Sequence, residues 1–333
     1  MNSIQIYVSH RIDINSELVD NPLYIPMRCG AVFDQENPMG IAGDDTGDNI
    51  SERRMSFCEF TVQYWAWKNI RADYCGLCHY RRYLSFSPRR FRTDEYIMVY
   101  VPSLTPTGKA RYGLLDRAAM AAAIEGHDGV ASECADVTRI PTPKGPQRTV
   151  RDMWEAHYGE FFEKSSIDLL FTLIDELAPE YSQSAREYFN GGQHRGFNCF
   201  VLRWELFDRL CRFQFPIMFE AERRLDTTGY TQTMKRTPAF LGEMLYGIFM
   251  YHITVHEGRD IQTRQMVFFS NTERIRGRGD LLRRYVGDSA NRLLRAVVDP
   301  ILPKGSRRRE KVKDIFYRLT PIKRRGVATI KEK

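Results

Sequence analysis

Near the amino terminus apolar and polar positions alternate: Ile4, Ile6 and Val8 are apolar, with Gln5 and Ser9 polar between or after them. This is the period-two pattern of a first strand with a buried face. Residues 22–40 are interrupted by proline and glycine and predict irregular chain, with one short apolar run at 29–33. The pattern then changes period. Met55, Cys58, Val62, Trp65 and Ala66 recur at helical spacing, while Phe57, Phe60, Tyr64 and Trp67 make the opposite side apolar too. A helix apolar nearly all round is a buried one. Asn49 suits its N-cap and Glu52 the third position of a capping box, so the helix is expected to run from about Ile50 to Asn69. Tyr74 to Tyr83 follows as a buried strand that runs out into a polar loop.

Residues 85–113 read as irregular and basic, 114–124 as an alanine-rich helix, and 126–131 as a short strand. A proline-rich loop at 140–146 precedes two helices, 150–162 and 166–177, the second stopped by Pro179. The glycine-rich loop 190–196 leads into a strand at 197–202. A long aromatic-rich helix spans 205–225 with Pro216 inside it, another covers 239–252, and a last strand covers 266–269.

Composition narrows the picture. The 333 residues suit one large domain or two small ones. No apolar run reaches the eighteen or more residues of a membrane span, and no basic-then-apolar leader opens the chain, so a cytoplasmic protein is expected. Seven scattered cysteines do not suggest a disulfide framework. The run Cys75 to His79 spells a haem-attachment motif. In a strand, however, residues three apart point to opposite faces, so the two thiols would not share a haem or a metal. The net charge of +7 is uneven: residues 271–333 hold 19 basic and 7 acidic side chains, which leaves the first 270 residues net acidic. That tail sets Leu281, Leu282, Tyr285 and Val286, then Leu293, Leu294, Val297 and Val298, among arginines, and a second piece repeats the pattern at 307–319. Basic amphipathic helices suit an anionic bilayer surface. Nucleic acid is disfavoured by the acidic body, and a solvated face packed on the domain is the bland alternative.

Polar chemistry clusters where strands are expected to end. In an open α/β sheet ligands bind beyond the carboxyl ends of the strands. Ser9, His10 and Arg11 end the first strand, and His79, Arg81 and Arg82 end the second; two arginines there can grip phosphate oxygens bidentately, or else form surface ion pairs. The acidic loop Asp44 to Asp48 is not a calcium loop, because Asn49 and Met55 stand where the turn glycine and closing glutamate belong. Asp45, Asp48 and Asn49 could face a ribose or sugar ring, or form a capped, solvated turn. His194 and Asn198, beside Gly191, Gly192 and Gly196, could bond sugar hydroxyls, unless the loop is an ordinary flexible one.

Three segments carry a family resemblance: Asp45 to Ser51, Cys58 to Asn69, and Gly76 to Tyr83. Together they resemble the signature of domain-of-unknown-function family 4422, similar to GT-A glycosyltransferases of capsule, exopolysaccharide and O-antigen assembly. The resemblance runs to about residue 270, which implies a GT-A-like (Rossmann-like) α/β domain at 1–270 and a basic amphipathic helical tail at 271–333. It implies a glycosyltransferase (hexosyltransferase) that moves a sugar, galactose among the choices, from a UDP-linked nucleotide sugar to a lipid-linked surface polysaccharide on the inner face of the cytoplasmic membrane. The alternative is a non-catalytic nucleotide-sugar or glycan-binding scaffold. In the resembled family a glutamate-bearing helix matches the segment around Glu243, which makes Glu243 the leading catalytic candidate, with His157 a further one; His10, Asp45, Asp48, Asn49, His79, Arg81, Arg82, His194 and Asn198 are the candidate nucleotide-sugar-binding residues. Many GT-A enzymes hold Mn2+ or Mg2+ with a DxD motif. Here His79-Tyr80-Arg81-Arg82 stands in that place, so metal dependence is open, with Asp45 or Asp48 as the remaining ligands.

Overall fold

The computed structural model describes residues 2–301 together with Arg308 and Val312. The chain divides into two compact units, residues 1–275 and 276–333.

In the first unit the alternating opening segment forms β1 (Ile4–Arg11), followed by β2 (Tyr24–Cys29) and the two-residue β3 (Ala42–Gly43). Next come α1 (Arg54–Phe57), α2 (Phe60–Asn69), β4 (Tyr74–His79), β5 (Arg82–Leu84) and β6 (Met98–Ser103). Helices α3 (Pro106–Arg111) and α4 (Arg117–Ile124) lead to β7 (Gly129–Ser132) and β8 (Ala135–Asp136). A helical stretch of α5 (Val150–Glu155), α6 (Ser165–Leu177) and α7 (Ser182–Asn190) precedes β9 (Gln193–His194) and β10 (Phe200–Arg203). The unit closes with α8 (Trp204–Arg224), α9 (Thr237–Tyr251), β11 (Ile261–Arg264) and β12 (Met266–Asn271).

The main sheet has the order β11-β7-β10-β4-β1-β2-β3, with β5, β6 and β12 attached beside β4. Strands β2, β1 and β4 are parallel, whereas β10 runs antiparallel to both β4 and β7. Side-chain alternation divides the interior in two. Tyr7, Cys75, Leu77, Ala131, Phe200 and Leu202 face one core, which they share with α2, α8 and α9. Ile6, Val8, Tyr74, Cys78, Val130 and Val201 face the other, with Met120, Ile124 and Val267. Cys75 and Cys78 therefore do lie on opposite faces, and Cys78 Sγ lies 3.4 Å from Cys199 Sγ.

Several expected elements differ. The helix expected over 50–69 is broken at Cys58, whose φ of 50° ends α1 before α2 begins. The break is held by tertiary bonds: Cys29 Sγ donates to the Cys58 carbonyl at 3.0 Å, and Arg236 Nε donates to Cys58 Sγ at 3.1 Å. Asn49 does not cap a helix; its Oδ1 accepts from Ser51 N at 3.2 Å in a local turn. The stretch read as irregular, 85–113, contains β6 and α3, because β6 finds a parallel partner in the distant β12. Helix α5 ends at Glu155, short of Phe162, and α8 runs through Pro216 without interruption.

One buried acid ties these parts together. Asp44 accepts hydrogen bonds from Gly30 N and Ala31 N, both at 2.9 Å, and from the hydroxyls of Ser51 and Thr61. The end of β2, the turn before α1 and the first turn of α2 thus share one carboxylate.

In the second unit α10 (Arg278–Ile301) is helical, with Leu282 and Val286 exposed. The side chains of Leu293, Leu294, Val297 and Val298, and the expected second piece at 307–319 apart from Arg308 and Val312, lie outside the described residues. Among the described residues no helix is long and apolar enough to cross a membrane.

Asp44→Ala strips four donors of their acceptor and is expected to cost about 3 kcal/mol or more of stability. Urea unfolding measures this, and Asp44→Asn, which keeps one acceptor oxygen, should lose less.

Candidate functional site

The carboxyl ends of β1 and β4 lie side by side, with Ser9 paired to His79, and His79 paired across the tight β4-β5 turn to Arg82. By alternation His79 and Arg82 project to the face covered by α2, α8 and α9. Because β10 is antiparallel, its lead-in arrives at this same edge. Residues 197–199 come just ahead of Phe200, which pairs with Leu77, two residues before His79 on β4.

Arginine chemistry dominates this crevice. Arg81 and Arg82 are half-buried, and neither forms an ion pair among the described residues. Both Nε atoms lack a hydrogen-bond partner. Their guanidinium groups rest on aromatic rings instead: Arg82 lies 4.6 Å from the Phe197 centroid and Arg81 5.5 Å from that of Phe268. Such packing orients a cation while leaving its donors free. Burial pushes the Arg82 pKa down, and the nearby Glu243 carboxylate opposes that shift. His79 is held well below the usual histidine range, first by burial and then by Arg82 and Arg81, so it is neutral near pH 7. Its Nδ1 accepts from Arg81 N at 3.4 Å.

Glu243 enters from α9, half-buried, with Phe197 N donating to its Oε1 at 2.8 Å. Burial raises its pKa, while the Phe197 amide, Arg82 and Arg236 lower it and Glu59 raises it. A carboxylate so placed can take up a proton nearer neutral pH than an exposed one. Gly196 allows this approach: a Cβ there would sit 2.6 Å from both Glu243 Oε1 and His194 Nε2.

The lead-in is strained. Phe197 and Asn198 have φ of 72° and 43°, left-handed values that cost non-glycine residues free energy and that gather at functional sites. Asn198 is 2% exposed, yet neither its Oδ1 nor its Nδ2 has a partner. A buried amide with both ends free is costly unless a ligand satisfies it.

The expected residues divide into those the structure brings together and those it does not. His79, Arg81, Arg82, Asn198 and Glu243 converge. His194 borders them, its Nδ1 bonded to Tyr188 OH at 2.9 Å and its ring edge-on to Trp154. His10 lies beneath, 1% exposed, with Nδ1 and Ser16 Oγ 3.2 Å apart. Burial alone holds His10 and His194 at about 4. The acidic loop goes elsewhere. Asp48 accepts from Tyr64 OH at 3.1 Å and its amide donates to Asn69 Oδ1 at 3.0 Å, on the last turn of α2, the end that feeds the amino edge of β4. Asn49 Nδ2 donates to Gly47 O at 3.0 Å, and Asp45 is exposed with no side-chain bond to the crevice. His157 stacks on Phe161 beside Glu160.

The structure also adds three residues. Glu59, just ahead of α2, and Arg236, just ahead of α9, act electrostatically on Glu243, and Phe197 supplies its amide. Glu59 stands inside the segment Cys58 to Asn69, next to an apolar run with the pattern of a packed helix. For Arg236 the sequence offers only a basic residue before a Thr-Pro helix start. Among the described residues no three His, Cys, Asp or Glu side chains converge as metal ligands. A set of guanidinium groups is a poor host for a resident divalent cation and a good one for an anion.

A family profile described as "Domain of unknown function (DUF4422)" matches residues 5–254. The chain belongs to this family. Among solved structures it is similar to one titled as the apo structure of the WbbM bifunctional glycosyltransferase, at 28% identity and a TM-score of 0.73. The match covers 81% of this chain and 46% of that one, so this chain spans less than half of its length. No curated protein matches. The large mixed sheet flanked by helices is GT-A-like, as the sequence resemblance implied.

The neutral histidines set a pH dependence. An unfolded histidine titrates at about 6.5, whereas His10 and His194 titrate at about 4 in the folded chain. As pH falls through this window the unfolded chain takes up protons first, so stability drops, by roughly 3 kcal/mol per histidine at the bottom of the window. Glu243, raised on folding, offsets part of this. Thermal melts from pH 7 to 4 should fall steeply, and less so for His10→Gln.

Proposed function

We propose that the chain is a glycosyltransferase that moves a hexose, with galactose the first to test, from a UDP-linked donor to a lipid-linked surface polysaccharide. The observation that carries this reading is the unsatisfied inventory of the crevice. The Nε groups of Arg81 and Arg82 and the Asn198 amide nitrogen ask for acceptors, while the Asn198 oxygen asks for a donor. An anionic polyol supplies both at once, and a sugar joined to a diphosphate is such a molecule. The likeness to a glycosyltransferase structure over 81% of the chain supports the same reading.

In this reading Arg81 and Arg82 bind the diphosphate and stabilise the charge that grows on it as the anomeric bond breaks. They stand where a metal would otherwise serve, and no step is assigned to a metal. Asn198 and neutral His79 orient the sugar, and Glu243 acts on the acceptor hydroxyl. Exposed Leu282 and Val286 on the basic α10 suit a peripheral contact with an anionic bilayer.

Calorimetric titration with UDP and with UDP-, GDP- and dTDP-sugars, in manganese and in chelator, tests the donor. Tight binding of one nucleotide that survives chelator and weakens at least tenfold in Arg82→Ala is expected; no binding by any of them would sink the proposal. Glu243→Gln should retain donor binding and lose about 100-fold in turnover. For the tail, L282E/V286E should weaken sedimentation with anionic vesicles and leave donor binding unchanged.

A further inference from the structure

A chain of polar groups runs along one turn of α9. Glu243 and Gly247 stand four residues apart on that helix and so share a face. Gly247 leaves room for Tyr188 of α7, because a Cβ on it would collide with the Tyr188 hydroxyl. One turn back, at Glu243, the close neighbour is Gly196, whose Cβ position is 2.6 Å from both Glu243 Oε1 and His194 Nε2. Those two atoms therefore lie within twice that distance of one another, around the space a methyl group would fill. The other ring nitrogen of His194 meets Tyr188, with Nδ1 and the hydroxyl 2.9 Å apart. Both side chains are buried. A phenol at one end and a carboxylate at the other, with an imidazole between them, are thus set by α7, α9 and β9.

The hydrogen bonds decide which nitrogen of His194 carries the hydrogen. The ring is neutral near pH 7, so one nitrogen donates and the other accepts. The Tyr188 oxygen accepts from Arg195 N at 3.2 Å, and its single proton has two acceptors in reach, His194 Nδ1 at 2.9 Å and the Arg195 carbonyl at 3.4 Å. The nearer takes it. Nδ1 then accepts and Nε2 carries the hydrogen, an arrangement that the neighbouring Glu243 carboxylate also favours. We propose that Tyr188 is a positioning residue of this site: its hydroxyl holds His194 as the Nε2–H tautomer, a neutral donor beside Glu243 Oε1. The proposal rests on the transferase reading for its role in turnover, but not for the tautomer. Phe197 N donates to the same Oε1 at 2.8 Å. Both N–H groups then stand on the Oε1 side of Glu243 and support its charge there. Oε2 has no partner among the described residues and is left for the hydroxyl of an acceptor sugar.

Two readouts on the full chain test this. NMR of isotope-labelled histidine rings at pH 7, with His194 assigned by its loss in His194→Gln, should show hydrogen on Nε2 and none on Nδ1. In Tyr188→Phe, Nδ1 loses its donor, and its signal should move towards that of a hydrogen-bearing nitrogen. Hydrogen on Nδ1 in the wild-type chain would overturn the proposal, as would an unmoved Nδ1 signal in a folded Tyr188→Phe protein. Turnover is the second readout, and Tyr188→Phe should lower it about tenfold, the effect of one lost orienting hydrogen bond. His194→Gln, whose amide nitrogen can stand where Nε2 stands, should keep more activity than His194→Asn. Adding Tyr188→Phe to His194→Gln should then cost nothing further, and a full additional loss there would show that Tyr188 does not act through His194. If the chain binds no nucleotide sugar, the proposed function fails while the ring signals still decide the role of Tyr188.

Discussion

The site depends on one strand running the wrong way. Strands β1 and β4 deliver their carboxyl ends to one edge of the sheet, and a parallel neighbour would have added only another carboxyl end. Because β10 runs against β4 and β7, its lead-in reaches that edge instead, and the chain must turn sharply to enter the strand. The turn is made at Phe197 and Asn198 in left-handed conformations, at a cost of about 1–3 kcal/mol each. That turn presents the Phe197 amide to Glu243 and leaves a buried, partnerless asparagine amide next to it.

The charges of the crevice are held apart by contacts of other kinds. Arg82 rests on Phe197, Arg236 lies over Phe240 and bonds a sulfur, and Glu243 accepts from a backbone amide. Had these groups collapsed into direct ion pairs, a ligand would have had to break them first. Oriented but unpaired, they need little rearrangement when an anion arrives, which is the condition for strong electrostatic stabilisation in a half-buried site. The deeper supports are neutral or saturated: His10 is shut away, and Asp44 has its donors on the α2 side fully arranged.

Two buried polar chains keep the helices in register with this edge. Asp44 couples β2 to the first turn of α2. From the same helix Gln63 donates to Gln214 of α8 at 2.7 Å, and Gln214 to the Gly242 carbonyl of α9 at 2.8 Å. The second chain ends at Gly242, immediately before Glu243. A shift of α9 by one residue would break the Gln214 bond and withdraw Glu243 together.

The sequence by itself determined the first strand, the buried face of the helix at residues 60–66, the strand ending at His79 and the two arginines after it, because period, apolar content and charge are local properties. It also marked Asn198 and Glu243, through a glycine-rich turn and an acid among apolar neighbours. What only the tertiary structure decided was which polar groups meet. Asp45, Asp48 and Asn49 look as site-like in sequence as Arg81, but Asp48 and Asn49 are spent in local bonds near the last turn of α2. Glu59 and Arg236, which look like ordinary surface charges, are brought to Glu243 across 184 and 7 residues of chain. Strand direction, the break at Cys58 and the close approach at Gly242 come from long-range pairing and packing, and no local pattern encodes those.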